Sequence, residues 1–124
     1  MEIIISNSSG KPIYEQITDQ VKSQIMSGQL KAGDPLPSMR ALAQSLRISV
    51  ITTKRAYNDL EAEGFIETVA GKGSFVAAQD PGLLREANLR LAEEHVRIAV
   101  DVAKRSDIAE EELLEMVRIL YEGE

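Results

Sequence analysis

Two helical patterns meet at Arg47–Ile48 with only those two residues between them. The first has Ser38 as its N-cap candidate, then an apolar stripe of Met39, Leu42, Ala43 and Leu46 at the spacing of one helix face. The second has Ser49 as its cap, runs to about Glu63 and is stopped by Gly64. So short a connection forces the second helix to cross the first at a steep angle, which is the helix-turn-helix arrangement. A longer helix precedes the pair. Pro12 suits its first turn, Ile13, Ile17, Val21 and Ile25 recur every four residues, and Gly28 ends it. Between them "QLKAGDPLP" reads as a loop, with Leu30 and Leu36 anchored in the core. After Gly64 two strand signals, "FIETV" and "SFVAA", flank the tight turn Ala70-Gly71-Lys72-Gly73. The order predicts a mainly α fold with a small β-hairpin: a winged helix-turn-helix.

A second pattern begins after "AAQDPGLL", where Asp80-Pro81-Gly82 marks a turn. This predicts a winged-helix domain over 1–78 and a two-helix dimerisation region over 79–124. From Leu83 to about Arg105, Leu84, Leu91 and Ile98 stand seven apart, with Asn88, His95 and Val102 four after each. From Ile108 to Tyr121, Leu113, Leu114, Val117, Leu120 and Tyr121 share a face. Ser106 or Asp107 is the expected cap of this last helix, with Glu110 placed for a capping box from Asp107. Two amphipathic helices cannot close a core alone. The same pair from a second chain is the simplest partner, and it brings two-fold symmetry. The predicted homodimer interface is Leu84, Leu91, His95, Ile98, Val102, Leu114, Val117 and Tyr121. Asn88 and His95, as polar residues in the seam, are placed to set its register.

The chain carries a formal net charge of -6, which argues against a polyanionic partner. The charge is unevenly spread, however. Residues 1–78 hold eight Lys/Arg and eight Asp/Glu, whereas residues 79–124 hold six and twelve. The excess lies in the last third, and the winged-helix segment is neutral. Its bases are concentrated where the fold would present them. On a helical wheel Thr53, Ala56, Tyr57 and Leu60 face inward, while Ile51, Arg55 and Asn58 face outward with Thr52 and Lys54 beside them. Hydroxyl, amide and cationic groups of this kind bond phosphate oxygens and base edges, and the helix N-terminus favours phosphate. Ser49 adds a hydroxyl at that end. Arg40, on the first turn of the preceding helix, is within reach of a backbone phosphate, and Lys72 sits at the tip of the wing. Each has a plainer reading. Exposed Lys and Arg are usually only solvated, Arg40 has Asp34 and Glu63 as candidate ion-pair partners, and "AGKGS" is a good hairpin turn in its own right.

Other classes find less support. There is no Cys, and His95 is the only His, with no ligand spacing around it, so neither a metal nor a cofactor is expected. No nucleophile–base pairing suggests an enzyme. The Gly-Lys-Gly of the wing is not a nucleotide-binding loop, which is longer and feeds a helix. No signal-peptide pattern opens the chain, and no stretch nears the roughly 20 apolar residues of a membrane span. A cytoplasmic protein without membrane contact is expected. The leading expectation is a DNA-binding transcription regulator. The alternative is a winged-helix protein–protein interaction module that binds no DNA, which the neutral charge of the domain favours.

The segments "KPIYEQI", "SGQLKAGDPLPSMRALAQSL" and "TTKRAYNDLEAEGFIETVAGKGSFV" resemble, in order and spacing, the DNA-binding domain of the GntR family of bacterial transcription regulators. The resemblance covers about residues 11–78. Gly28-x-Leu30-x-x-Gly33-x-x-Leu36-Pro37-Ser38-x-Arg40-x-Leu42-Ala43 is its most specific part. A C-terminal part this short resembles the small YtrA-type branch. The resemblance implies a homodimeric repressor on a palindromic double-stranded DNA operator, often of a transporter operon. It implies DNA contacts at Arg40, Val50, Ile51, Thr52, Lys54 and Gly71. Relatives with larger C-terminal domains enclose an effector ligand, and this branch generally lacks that cavity; whether an effector exists here, and what it is, stays open. One departure stands out. Where YtrA-like sequences commonly have Asn-Pro-Asn-Thr, this chain has Ser49-Val50-Ile51-Thr52, which replaces polar readers with apolar ones and shifts weight toward thymine-methyl contacts.

Overall fold

Helix α1 (Ile13–Met26) buries Ile17, Val21 and Ile25, with Ile13 packed at the edge of the same core. α2 (Met39–Leu46) adds Leu42, and α3 (Val50–Ala62) adds Ala56, Tyr57 and Leu60. The hairpin strands β1 (Ile66–Val69) and β2 (Gly73–Val76) close the core with Ile66 and Val76. Both predicted loop anchors, Leu30 and Leu36, are buried. The computed structural model describes residues 1–123, in two compact units, Met1–Pro81 and Gly82–Glu124.

The connection between α2 and α3 follows the predicted boundaries. Ser38 Oγ accepts the Ala41 N–H at 3.0 Å, and Ser49 Oγ accepts the Thr52 N–H at 3.0 Å. Arg47 takes the left-handed conformation, φ 57° and ψ 48°, and the Ile48 N–H returns to the Ala43 carbonyl at 3.0 Å. A non-glycine residue there costs roughly 1–2 kcal/mol. It turns the chain within two residues and leaves α3 crossing α2. Tyr57 then locks α3 to the loop before α2, its Oη donating to the Pro37 carbonyl at 2.7 Å.

β1 and β2 pair antiparallel from Ile66↔Val76 to Val69↔Gly73, with Gly71 at φ 77° in the turn. The loop before α2 does more than connect. The Leu36 N–H donates to the Ser74 carbonyl, the Val76 N–H to the Asp34 carbonyl and the Gly33 N–H to the Val76 carbonyl, all within 2.9 Å. The backbone of 33–36 therefore lies along the outer side of β2 and braces the wing.

No sequence pattern assigns residues 1–9, yet they are held in place. Three glutamines one turn apart on α1 act as surrogate strand partners. Gln20 exchanges both amide hydrogen bonds with the Ile4 backbone, at 2.9 and 2.6 Å, and Gln16 does the same with Ser6, at 2.8 and 2.9 Å. Gln24 Nε2 donates to the Glu2 carbonyl at 2.7 Å. The tether brings Ile3 into the core.

The second unit consists of α4 (Pro81–Arg105) and α5 (Glu110–Glu122). α4 starts at Pro81, two residues earlier than the apolar pattern suggests. The predicted cap of α5 is incorrect. Its N-cap is Ala109, with no side-chain cap bond, so neither Ser106 nor Asp107 caps it and no Asp107–Glu110 capping box forms. Asp107 has φ 57° and ends α4 instead, with the Ile108 N–H bonded to the Ala103 carbonyl at 3.0 Å. An Asp tolerates this conformation because its short side chain can bond locally. Glu110, Glu111 and Glu112 fill the first turn of α5, where the helix dipole favours them. Among the described residues of this unit only Ala103 is buried.

Gln16→Ala removes both hydrogen bonds to Ser6 and should lower unfolding free energy in urea by about 1–3 kcal/mol. Gln20→Ala, at an exposed pair, should lower it by less. Burial pushes the Tyr57 phenol up to about 12. A folded value above the unfolded one, about 10, stabilises the protein fully below pH 10 and loses that contribution as pH rises toward 12. Thermal or urea unfolding between pH 9 and 11.5 should show this loss, and Tyr57→Phe should flatten it.

Candidate nucleic-acid interface

α3 is two-faced. Thr53, Ala56, Tyr57 and Leu60 are buried, as the wheel predicts, and Ile51, Lys54, Arg55 and Asn58 are exposed. Its charge runs the wrong way for helix stability. Lys54 and Arg55 stand in the N-terminal half with no acid, whereas Asp59 and Glu61 follow toward the C-terminus, with Glu63 as C-cap. The macrodipole favours the opposite order, acids first and bases last. The helix start thus combines free dipole charge and cationic side chains, an arrangement that an external anion would stabilise.

The hydroxyls at this end are partly engaged. Ser49 Oγ lies 2.9 Å from Thr52 Oγ1 in addition to capping the Thr52 N–H. The Thr53 hydroxyl donates to the Ser49 carbonyl at 3.2 Å. Val50 and Ile51, between the engaged hydroxyls, are 41% and 81% exposed.

Arg40 is exposed on the first turn of α2. Neither candidate ion-pair partner holds it: Asp34 Oδ2 accepts the Lys31 N–H at 2.8 Å, and Glu63 pairs with Lys22 at 2.9 Å. The turn itself presents a further exposed base, Arg47, which side-chain spacing does not single out because it lies between the two helical patterns. Arg55 is placed less freely than its position on the wheel implies. Its guanidinium carbon sits 3.7 Å from the centroid of the Tyr14 ring on α1. Such a stack fixes the plane of the guanidinium while leaving its N–H groups to meet an oxygen acceptor. At the wing, Gly71 and Lys72 are exposed, and the Lys72 N–H closes the turn on the Val69 carbonyl at 2.9 Å.

The other predicted residues belong to the second unit. Leu84 is half-buried, and Leu91, His95, Ile98, Val102, Leu114, Val117 and Tyr121 are exposed. The exposures of Ile98, 54%, and Tyr121, 89%, are those of surface residues although the residues are apolar or aromatic. Val117, Leu120 and Tyr121 line a shallow apolar depression of about 270 Å³ on α5. Among the described residues no cluster of His, Cys, Asp and Glu suits a metal ion, and no helix is long and apolar enough to cross a membrane.

Comparison with known proteins matches residues 13–76 to the bacterial regulatory proteins of the gntR family. The HTH-type transcriptional repressor YtrA of Bacillus subtilis is 34% identical over 116 residues, 94% of this chain and 89% of that protein. A solved transcriptional regulator from Oenococcus oeni is 27% identical with a TM-score of 0.73, covering 94% of this chain and 97% of its own. The structure of AraR(DBD) in complex with operator ORX1 is 28% identical with a TM-score of 0.54, covering 62% of this chain and 96% of its own.

Proposed function

The chain belongs to the gntR family of bacterial regulatory proteins, as a DNA-binding transcription regulator with a winged helix-turn-helix, and we propose that it is a homodimeric repressor seated on a palindromic operator. The observation that carries the reading is the charge order of α3, with Lys54 and Arg55 in the N-terminal half, behind a helix start where the dipole already favours an anion. In this reading the start of α3 enters the major groove, where Thr52 and Lys54 meet base edges beside Val50 and Ile51. Ser49 supports the helix start as its cap. Arg40 contacts a backbone phosphate from the first turn of α2, and Arg55, steadied by Tyr14, contacts another. Gly71 and Lys72 carry the wing to the adjoining backbone. A regulator that acts on bacterial DNA would work in the cytoplasm.

The homodimer is supported by the second unit taken alone. Its exposed apolar residues recur along α4 and α5, and Ala103 alone among its described residues is buried. So many exposed apolar side chains on two helices favour an association face. A second copy supplies the same face and matches two half-sites by symmetry.

Arg40→Ala should weaken binding to all duplexes about equally and reduce the salt slope by about one per half-site. Lys54→Ala should reduce affinity for a selected operator more than for random DNA. Filter binding or fluorescence anisotropy across a salt series measures both, and unchanged affinity in both variants would remove α3 from the interface. For the dimer, Leu91→Asp with Ile98→Asp should give a monomer by sedimentation whose winged-helix unit stays folded, with sharply lower operator affinity. Persistence of the dimer would move the interface elsewhere.

A further inference from the structure

The start of α3 holds a feature that general DNA binding does not require. Val50 and Ile51 are adjacent β-branched residues, both exposed, and Ile51 at 81% is the most exposed of the large apolar residues described on α1–α3. Single exposed aliphatic residues are common. Here, however, two fall together on the first turn of the helix whose start faces DNA in the reading above, on which this inference rests. Helix propensity does not favour them, since β-branched residues are poorer helix formers than Ala, Leu or Lys. Their stiff χ1 holds the methyl groups in fixed directions. The flanking hydroxyls of Ser49 and Thr52 are 2.9 Å apart and bonded to each other or to the helix cap, which reduces their freedom to read bases.

Base edges differ in what they offer an aliphatic side chain. Guanine presents two acceptors in the major groove, adenine an acceptor and a donor, and cytosine a donor. Each of these polar edges loses water against Ile51 and gains no hydrogen bond, which is unfavourable. Thymine alone carries a methyl group there, in addition to its O4 acceptor. We propose that Ile51, with Val50 beside it, is a specificity-determining residue that selects thymine through its 5-methyl group. The discrimination works in two directions: apolar surface is buried against the methyl, and the other three bases are penalised for a desolvated polar edge.

The test uses the full chain. Duplexes are selected from a random pool, and in the selected operator each thymine is replaced singly by uracil, which removes only the methyl. At one or two thymines per half-site, the replacement should weaken binding about fourfold, the worth of one buried CH₂-sized group. Ile51→Ala is at an exposed position and improves helix propensity, so folding is preserved; in this variant the same replacements should have no effect. If no thymine-to-uracil replacement changes affinity while the operator is still bound, the methyl inference is wrong and the DNA-binding reading survives. If sensitive thymines remain equally sensitive in Ile51→Ala, another residue reads the methyl and the assignment to Ile51 is wrong. Failure of the pool to yield any bound duplex would overturn the DNA-binding reading, and this inference with it.

Discussion

The left-handed Arg47 is the constraint on which the reading end of the molecule depends. It closes α2 and launches α3 within two residues, and every α3 side chain proposed to touch DNA takes its direction from that crossing. The neighbouring bonds make the geometry difficult to relax. The Ile48 N–H is tied to Ala43, Ser49 caps α3, and Tyr57 hydrogen-bonds to Pro37 from the opposite side of the pair. The strain at one residue is offset by bonds on both helices, so α3 is held at both its start and its middle. A reading helix with several independent anchors can present Ile51 and Lys54 without an ordering step on binding, which keeps the conformational cost of recognition low.

Legibility in the sequence followed the range of the interactions. The caps Ser38 and Ser49, the stop at Gly64 and the buried faces of α1 and α3 depend on residues a few positions apart, and local spacing reveals them. The glutamine ladder does not show itself, because Gln16, Gln20 and Gln24 bond to backbone groups of residues 2–6, and a backbone partner leaves no mark on residue type. The stack of Arg55 on Tyr14 is hidden for a related reason, since it joins α1 to α3 across a large gap in sequence. Asp107 was a matter of two local roles with similar chemistry. Asp favours both an N-cap and a left-handed helix end, and the Ile108–Ala103 bond decided for the latter. The candidate DNA contacts could be found from residue type, but the coupling of Ser49 to Thr52 and the openness of Ile51 required coordinates.

Electrostatics resolves the conflict between an acidic chain and an anionic partner. A net charge of -6 describes the whole chain, whereas binding responds to the charges within about a Debye length of the contact, roughly 8–10 Å in ordinary salt. On α3 the local order is basic then acidic, and Lys54, Arg55, Arg40 and Arg47 all belong to the helix pair that the turn holds together. The Asp59–Glu63 end of α3 carries the compensating acids. A domain of zero net charge can therefore bind a polyanion with one end while the other limits adhesion to nucleic acid at random, which raises discrimination more than total affinity.

The small size of this reading surface sets a demand on the second unit. One winged helix offers few cations and a short helix start, so its contacts with a single half-site are modest and weaken with salt. Joining two such surfaces makes the second contact nearly intramolecular and raises overall affinity without any new type of contact. In the proposed dimer, α4 and α5 supply that junction from exposed apolar residues that, in one chain, bury little beyond Ala103. In such a dimer the second unit would gain most of its stability only on association. Folding of that unit and formation of the DNA-competent state would then be one equilibrium, dependent on protomer concentration. Occupancy of an operator would then rise more steeply with protein concentration than for a preformed dimer, a regulatory property that would arise from how little the described residues of this unit bury within one chain.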